Sequence, residues 1–368
     1  PCLSILVLVS ACGGPGVNEG ARRSPDDPAL SAQVESGLLP AVVLEGEELP
    51  TWTIQERLEH YEVPGLSVAV IEEGAVAWAK GYGIADLETG ATVTVETLFQ
   101  AASISKPVAA LSALSLVEDG LIGLDDPVND YLTSWQLPDN EFTADSVVTL
   151  RHLLTHSAGL TVWGFPGYRK DEPFADGQEV ATNAQVLDGN GNTDPVRVYK
   201  EPGTSWQYSG GGYTIMEEMV EDVAGLPFHE VLEERVLRPA GMTRSTYAQP
   251  LPRDRWSEAA RGHRGDGSEV EGEWHTYPEQ AAAGLWTTPT DLATLSTHLL
   301  RVLDGSIDEG VLSSVMLDRM LTPNHGGQEG FSNWGLGFGL SEPGAERTFG
   351  HGGSNEGFRA NWVVYLSL

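Results

Sequence analysis

Ser103-Ile104-Ser105-Lys106 places a hydroxyl and an amine one helical turn apart, immediately ahead of an apolar stretch. Residues 107–118 repeat large apolar side chains at helical spacing, so Ser103 is expected in the first turn and Lys106 on the same face. A serine hydroxyl is a poor nucleophile until a base takes its proton, and a lysine can be that base once its pKa is lowered. The pattern predicts a nucleophile beside its base, although an isolated match is more often a capping serine and an exposed lysine.

Two further segments carry residue types that suit the same chemistry. The turn-rich segment Pro202 to Tyr213 contains glycines that are expected to hold Tyr208 on a loop, where it can transfer protons beside a lysine. Phe349 to Ser354 reads Phe-Gly-His-Gly-Gly-Ser and runs into a strand pattern at residues 358–365. Glycines at a strand edge indicate a close approach to the backbone, which a substrate carbonyl would fit.

With these segments in this order, the chain resembles the penicillin-recognising serine hydrolases. These include class C β-lactamases, D-alanyl-D-alanine carboxypeptidases, D-aminopeptidases and the β-lactamase-like family VIII carboxylesterases. The resemblance covers roughly residues 50–368 and includes Val148 to Leu160, which is similar to the family's Leu-Leu-Thr-His-x-Ser-Gly-Leu segment. It implies an α/β (α+β) fold of the β-lactamase/transpeptidase type, with an antiparallel sheet flanked by helices and a mostly helical domain inserted.

The resemblance implies a role for each matched residue. Ser103 would be the acylated nucleophile, and Lys106 and Tyr208 would share the proton transfers. His351 stands where many members have the lysine of Lys-Thr-Gly, and it would supply a polar or cationic edge beside the tyrosine. No cofactor is implied.

The oxyanion hole would be formed by the backbone N–H groups of Ser103 and Ser354. Gly352 and Gly353 would line the substrate-binding edge between them. Removing one such donor costs about 3 kcal/mol of transition-state stabilisation in serine proteases.

Two departures from the family pattern bear on the substrate. Gly210 stands at the third place of the usual Tyr-x-Asn motif and removes an amide that could bind the acyl group. His351 removes a permanent positive charge that would pair with the carboxylate of a β-lactam or peptide. Both changes disfavour an efficient β-lactamase and favour an esterase or a His-x-Gly peptidase. We expect a carboxylesterase; the alternatives are a class C-type β-lactamase, a D-amino-acid-specific peptidase or, in another class, a non-catalytic peptidoglycan-binding module.

Competing signals are weak. No Gly-x-Ser-x-Gly occurs, so no α/β-hydrolase nucleophile turn is predicted. His152 and His156 could share a helix face, but no glutamate follows His152 as a zinc peptidase would need, so a packed or capping pair is favoured and no metal site is expected. The 21 Lys and Arg against 53 Asp and Glu give a net charge of −32, which excludes nucleic-acid partners and is typical of an acidic, solvated surface.

The first twelve residues resemble a bacterial lipoprotein signal. A short apolar run, Leu3 to Val9, precedes Ser10-Ala11-Cys12, and Cys12 would be the lipidated residue. The protein is therefore expected in the bacterial cell envelope, touching a membrane only through this anchor; an ordinary cleaved secretion signal is the alternative, and a buried core segment fits the following polar stretch less well. Cys2 and Cys12 are the only cysteines, so no disulfide is expected in the mature domain.

The remaining chain divides by composition and pattern. Residues 13–45 are expected to be a flexible tether and 46–368 the hydrolase domain, with an α/β part at about 46–120 and 288–368 and a helical part at about 121–287. Residues 65–71 and 75–80 predict a hairpin turning at Glu73-Gly74, and Thr288 is expected to cap a helix to about Leu303. The resemblance also implies another strand and a helix beyond Leu368.

Overall fold

The computed structural model describes residues 3–9, 28–40, 46, 50–174, 177–308, 310–324, 332–342, 344 and 346–366. Its strands are β1 (Leu3–Val9), β2 (Gly65–Glu72), β3 (Ala75–Asp86), β4 (Ala91–Thr92), β5 (Phe99–Gln100), β6 (Tyr168–Arg169), β7 (His275–Thr276), β8 (Trp286–Thr287), β9 (Gly339–Leu340), β10 (Thr348–Asn355) and β11 (Phe358–Tyr365). Its α-helices are α1 (Pro28–Ser36), α2 (Ile54–His60), α3 (Ser105–Glu118), α4 (Leu150–Leu154), α5 (Asn183–Leu187), α6 (Gly210–Ala224), α7 (Phe228–Leu232), α8 (Arg238–Ala240), α9 (Gln280–Ala283), α10 (Pro289–Leu303) and α11 (Ser314–Met320). None of the helices in these ranges is both long enough and apolar enough to cross a membrane.

Seven strands form the main sheet in the order β4-β3-β2-β1-β11-β10-β9. The predicted hairpin is confirmed, because β2 and β3 are antiparallel and joined by Glu73 and Gly74 alone. Both residues have positive φ, 51° and 71°, as a two-residue turn between right-twisted strands requires.

β1 lies at the centre of this sheet and is parallel to both neighbours, pairing with β2 on one side and β11 on the other. The expected fold of an antiparallel sheet flanked by helices is confirmed, with one difference: the two pairs made by β1 are parallel and the other strand pairs are antiparallel. The residues of β1 are those that the sequence assigns to a secretion signal. Cys12 and most of the expected tether lie outside the described residues, and Pro28–Ser36, within that tether, forms α1.

Helices cover both faces of the sheet. On one face α10 packs against β1, β2 and β3, and the Trp362 indole N–H donates a 2.8 Å hydrogen bond to Ser296 Oγ of this helix. On the other, Ile54 and Leu58 of α2 pack with Val68, Val70 and Trp78 in a second apolar cluster. The start of α10 is as predicted, because the Thr288 side chain accepts from the N–H of Asp291.

α3 runs through the interior. Every residue from Ser105 to Leu116 is buried, so the helix is enclosed all round and has no solvent-facing stripe. α6, α7 and α9 pack against it from the helical part. Gly337, from the C-terminal part of the chain, also lies against it: an added Cβ there would be 2.8 Å from Ala110 Cβ.

The three glycines after Tyr208 have a different role from the one expected. Gly210, Gly211 and Gly212 form the first turn of α6 and are not part of a loop, and Ser209 caps this helix. Glycine is favoured there by packing, since a Cβ on Gly211 would lie 2.9 Å from both methyl groups of Val196. Tyr208 itself precedes the helix in a loop, as predicted.

Candidate active site

The nucleophile turn consists of residues Ala101 to Lys106, where a single 3₁₀ turn (Ala102–Ile104) leads into α3. Ser103 is partly exposed although the residues on both sides are buried. Ala102 holds a φ of +51°, a conformation that costs a non-glycine residue about 1–3 kcal/mol and that concentrates at functional sites. The surrounding structure holds this turn through the Ala101 N–H, which donates 2.9 Å to the Leu285 carbonyl, and through Ser105, whose Oγ accepts from the Leu285 N–H.

Lys106 lies beside the nucleophile as predicted. Its side chain is 2% exposed, and Nζ lies 3.0 Å from Ser103 Oγ and 2.8 Å from the Ala282 carbonyl oxygen of α9. The second partner orients the amine towards the serine. Sequence reasoning missed Ala282, because a backbone carbonyl carries no signature in the residue type.

Tyr208 and His351 complete the group of four residues expected at the site. Lys106 Nζ lies 5.0 Å from the centre of the Tyr208 ring, and the Tyr208 hydroxyl lies 3.5 Å from His351 Nε2. His351 Nδ1 faces the Gly352 carbonyl, which can only accept, so Nδ1 carries the proton and Nε2 presents its lone pair to the tyrosine. At 3.5 Å, the contact between the phenol and Nε2 lies at the outer limit of a hydrogen bond.

His351 is neutral at neutral pH. Burial of the ring and, to a smaller extent, the positive charge of Lys106 lower the pKa of His351 to about 3, against a small opposing effect of the Gly352 carbonyl. We expected His351 to act as either a polar or a cationic group beside Tyr208; the lowered pKa is consistent only with the neutral, polar group.

His156 contacts the segment on both sides of Tyr208. Its carbonyl accepts a 2.7 Å bond from the Gln207 N–H, its Nδ1 accepts a 3.1 Å bond from the Ser209 N–H, and its ring centre lies 4.2 Å from that of Tyr208. The residue is 1% exposed and has a φ of +57°. Burial, followed by the nearby charge of Lys106, lowers its pKa well below the usual range, so it acts as a neutral acceptor.

The other histidine of that segment has a separate structural contact. His152 Nδ1 accepts from the Thr149 N–H in the capping box of α4. The two histidines therefore make the capping and packing contacts favoured from the sequence. Within the described ranges no group of three or more His, Cys, Asp or Glu side chains could hold a metal ion.

Strand β10 passes directly against the nucleophile turn. A Cβ on Gly353 would lie 2.1 Å from the Ala101 carbonyl oxygen, so the close approach expected from the glycines is made here by the protein's own backbone. Gly352 has open space beside it, and Ser354 is exposed. β9 pairs with β10 only at Phe349 and Gly350, which leaves residues 351–355 unpaired with β9 along that edge. The oxyanion hole at Ser103 and Ser354 stays a prediction.

The site combines a serine at the start of a buried helix with an enclosed lysine one turn further on. A second segment adds a tyrosine, and an adjacent strand adds a histidine. This combination defines a class of serine-dependent acyl-transfer sites. The chain belongs to the beta-lactamase family, whose model matches residues 52–367.

Individual relatives fall into more than one functional group. The chain is similar to penicillin-binding protein 4* of Bacillus subtilis (27% identity, 68% of this chain and 50% of the relative) and to esterase EstB of Burkholderia gladioli (29%, 51% and 48%). Among solved structures it is similar to an octameric penicillin-binding protein homologue from Pyrococcus abyssi, with a TM-score of 0.63, 28% identity, and coverage of 82% of this chain and 66% of that one. The chain spans about half the length of these curated relatives.

Proposed function

We propose that the protein is a carboxylesterase that hydrolyses small-molecule esters through an acyl-serine at Ser103. The observation that carries the proposal is the 3.0 Å approach of the enclosed Lys106 amine to Ser103 Oγ, with Tyr208 beside the amine and His351 beside Tyr208. In this reaction Ser103 Oγ attacks the ester carbonyl and gives its proton to the Lys106/Tyr208 pair, in the state in which that pair has lost one proton. The same pair protonates the departing alcohol. In the second half of the reaction the pair takes a proton from a water molecule, which attacks the acyl carbonyl; the proton then returns to Ser103 Oγ as the acid leaves.

Two features support esters over β-lactams and peptides. The neutral ring of His351 has no permanent charge with which to pair a substrate carboxylate. Gly210 has no side chain that could hydrogen-bond an acylamino group. The similarity to an esterase points the same way, while the similarity to a penicillin-binding protein keeps the β-lactamase and D-amino-acid peptidase as alternatives.

Intact mass spectrometry with parallel turnover assays tests the proposal. The protein is mixed with a short-chain p-nitrophenyl ester and, separately, with a chromogenic cephalosporin. We expect a transient adduct on Ser103 and fast ester turnover, with both lost in Ser103→Ala. Ser112→Ala is the matched control, because this buried serine of α3 only donates to the Ala109 carbonyl.

Other outcomes separate the alternatives. Rapid cephalosporin turnover would make the protein a β-lactamase, and a long-lived acyl adduct formed from the cephalosporin would make it a peptidase. A folded chain that forms no adduct and turns over no ester would support the peptidoglycan-binding module.

We also propose that the natural protein is lipid-anchored at Cys12 in the cell envelope, in which case cleavage ahead of Cys12 would leave the mature protein without β1. The support is the apolar run followed by Ser10-Ala11-Cys12. Metabolic labelling with a fatty acid in a bacterial host should mark the protein and not its Cys12→Ser variant. Equal labelling of both, or none, would contradict the proposal.

A further inference from the structure

The 161–165 loop, which reads Thr-Val-Trp-Gly-Phe, is tied to the segment that follows Tyr208. The N–H groups of Gly210 and Gly211 donate to the carbonyls of Trp163 and Val162, at 3.2 and 2.9 Å. Ser209 Oγ lies 3.1 Å from the carbonyl oxygens of both Thr161 and Val162. The loop is thus held next to the catalytic tyrosine by main-chain contacts.

This attachment imposes an unusual conformation. Val162 has a φ of +59°, and a β-branched residue rarely adopts a positive φ because Cβ then crowds the backbone. Backbone strain of this kind persists only where the surrounding contacts enforce it, and it is concentrated at functional sites. It directs the chain so that Trp163 is 76% exposed while Phe165 turns back towards α6.

The Phe165 ring occupies the space beside Gly210. A Cβ added to Gly210 would lie 2.9 Å from Phe165 Cε2, 3.4 Å from Cδ2 and 3.2 Å from the Trp163 carbonyl oxygen. Any side chain at position 210 therefore competes with the ring for the same volume. Phe165 is only half-buried, and it lies against Gly210, two residues after Tyr208.

We propose that Phe165, seated on Gly210, forms the wall that contacts the acyl group and selects hydrocarbon acyl chains over acylamino ones. This inference rests on the acyl-serine function proposed above. An aromatic ring removes apolar surface of a hydrocarbon chain from water, but it offers no partner to an amide, which would lose its bonds to water on binding. The 161–165 loop carries no charged side chain that could compensate.

Two esters of equal acyl length test the wall. p-Nitrophenyl pentanoate and p-nitrophenyl N-acetylglycinate share their leaving group, and the second has an amide within its chain. We measure the ratio of kcat/KM for pentanoate to that for N-acetylglycinate in each variant, relative to the intact protein. Differences in chemical reactivity between the esters then cancel, and the ratio does not depend on how much of a variant is folded.

Phe165→Ala should lower this ratio about tenfold, because the hydrocarbon chain loses its contact and the amide gains access to water. Gly210→Ala should lower it about threefold by displacing the ring, and it should have less than a twofold effect when Phe165→Ala is already present. The matched control is Phe174→Ala, an aromatic residue that packs edge-on against Tyr168, for which the ratio should stay within twofold.

A ratio within twofold of the intact protein in Phe165→Ala would overturn the inference while leaving the esterase intact. Equal changes in Phe165→Ala and Phe174→Ala would also overturn it, because the effect would then not belong to the wall. Failure of the intact protein to hydrolyse either ester or to form a Ser103 adduct would remove both the inference and the proposed function.

Discussion

The nucleophile turn and the 161–165 loop flank the same tyrosine, but they are held in different ways. Residues 101–106 are buried except at Ser103 and are fastened from within by Leu285, Ala282 and strand β10. The 161–165 loop is held by its main chain and exposes Trp163 to solvent. Both contain a non-glycine residue with positive φ, Ala102 in one and Val162 in the other.

The difference separates two properties of the site. Lys106, whose position relative to Ser103 must be held precisely, is enclosed, because a misplacement of about 1 Å can lower the rate a hundredfold. The residues that contact the variable part of a substrate lie in the open region. Changes in the turn should therefore alter the rates for all substrates together, and changes in the loop should alter the ratio between substrates.

The strongest test of this separation is Gly353→Ala. The added Cβ would overlap the Ala101 carbonyl, which is backbone and cannot rotate away, so β10 or the turn must move. We expect kcat/KM to fall about 100-fold for every ester, with an unchanged pentanoate to N-acetylglycinate ratio. Gly352→Ala is the comparison, because its nearest atom would be 4.0 Å away, and the loss should stay below about tenfold. Similar losses in both variants would contradict the steric account.

A smaller effect is expected at His156, a positioning residue for Tyr208. His156→Ala removes the acceptor for the Ser209 N–H and the ring that packs on Tyr208, and kcat should fall about 30-fold. His156→Asn keeps an acceptor and tolerates positive φ, so the loss should be about threefold. KM and the ester ratio should barely change in either variant. A loss that appears mainly in KM would assign His156 to substrate binding.

The smallest effect concerns the pH dependence of stability, which buried groups near the turn should control. Burial raises the pKa of Glu279, which directly precedes α9, from 4.5 to about 8, so the unfolded chain loses this proton first and stability falls as pH rises through that window. His351 acts oppositely: with its pKa lowered from 6.5 to about 3, it reduces stability as pH drops through that window.

Thermal unfolding followed between pH 4 and 8 checks this. Stability should be highest between pH 4.5 and 6.5, the ordinary pKa values of the two groups, and Glu279→Gln should shrink the loss of Tm between pH 6 and 8 by a few degrees. Glu141→Gln, at an exposed carboxyl, is the control and should leave the profile unchanged. If Tm falls by the same amount between pH 6 and 8 in the intact protein and in both variants, Glu279 does not control the loss of stability in that range.

The sequence predicted the parts of this site that depend on local pattern. The spacing of Ser103 and Lys106 was enough to place the amine beside the hydroxyl, because three residues along a helix span one turn. Glu73-Gly74 likewise predicted the β2–β3 hairpin, because a two-residue turn between two strand patterns is also a local signal. The glycine-rich segments pointed to Tyr208 and His351, the family resemblance assigned their roles, and the structure places all four residues together.

Contacts between distant residues were out of reach. Phe165 and Gly210 meet only through the folding of the loop against α6, and no periodicity links them. The partner of Lys106 is a carbonyl, which every residue possesses. Leu3–Val9 is a short continuous apolar run, and such a run fits both a buried strand and the apolar part of a secretion signal.

The enclosure of α3 affects how the protein unfolds and loses activity on heating. Its sides are covered by α6, α7 and α9 and by the C-terminal part of the chain at Gly337, so none of these can detach without exposing a helix that is buried from Ser105 to Leu116. Unfolding the site alone, before the rest of the molecule, would therefore cost nearly the full free energy of global unfolding. Heat inactivation and loss of the fold should therefore be one cooperative event, and surviving activity after heating would report directly on the fraction of intact molecules.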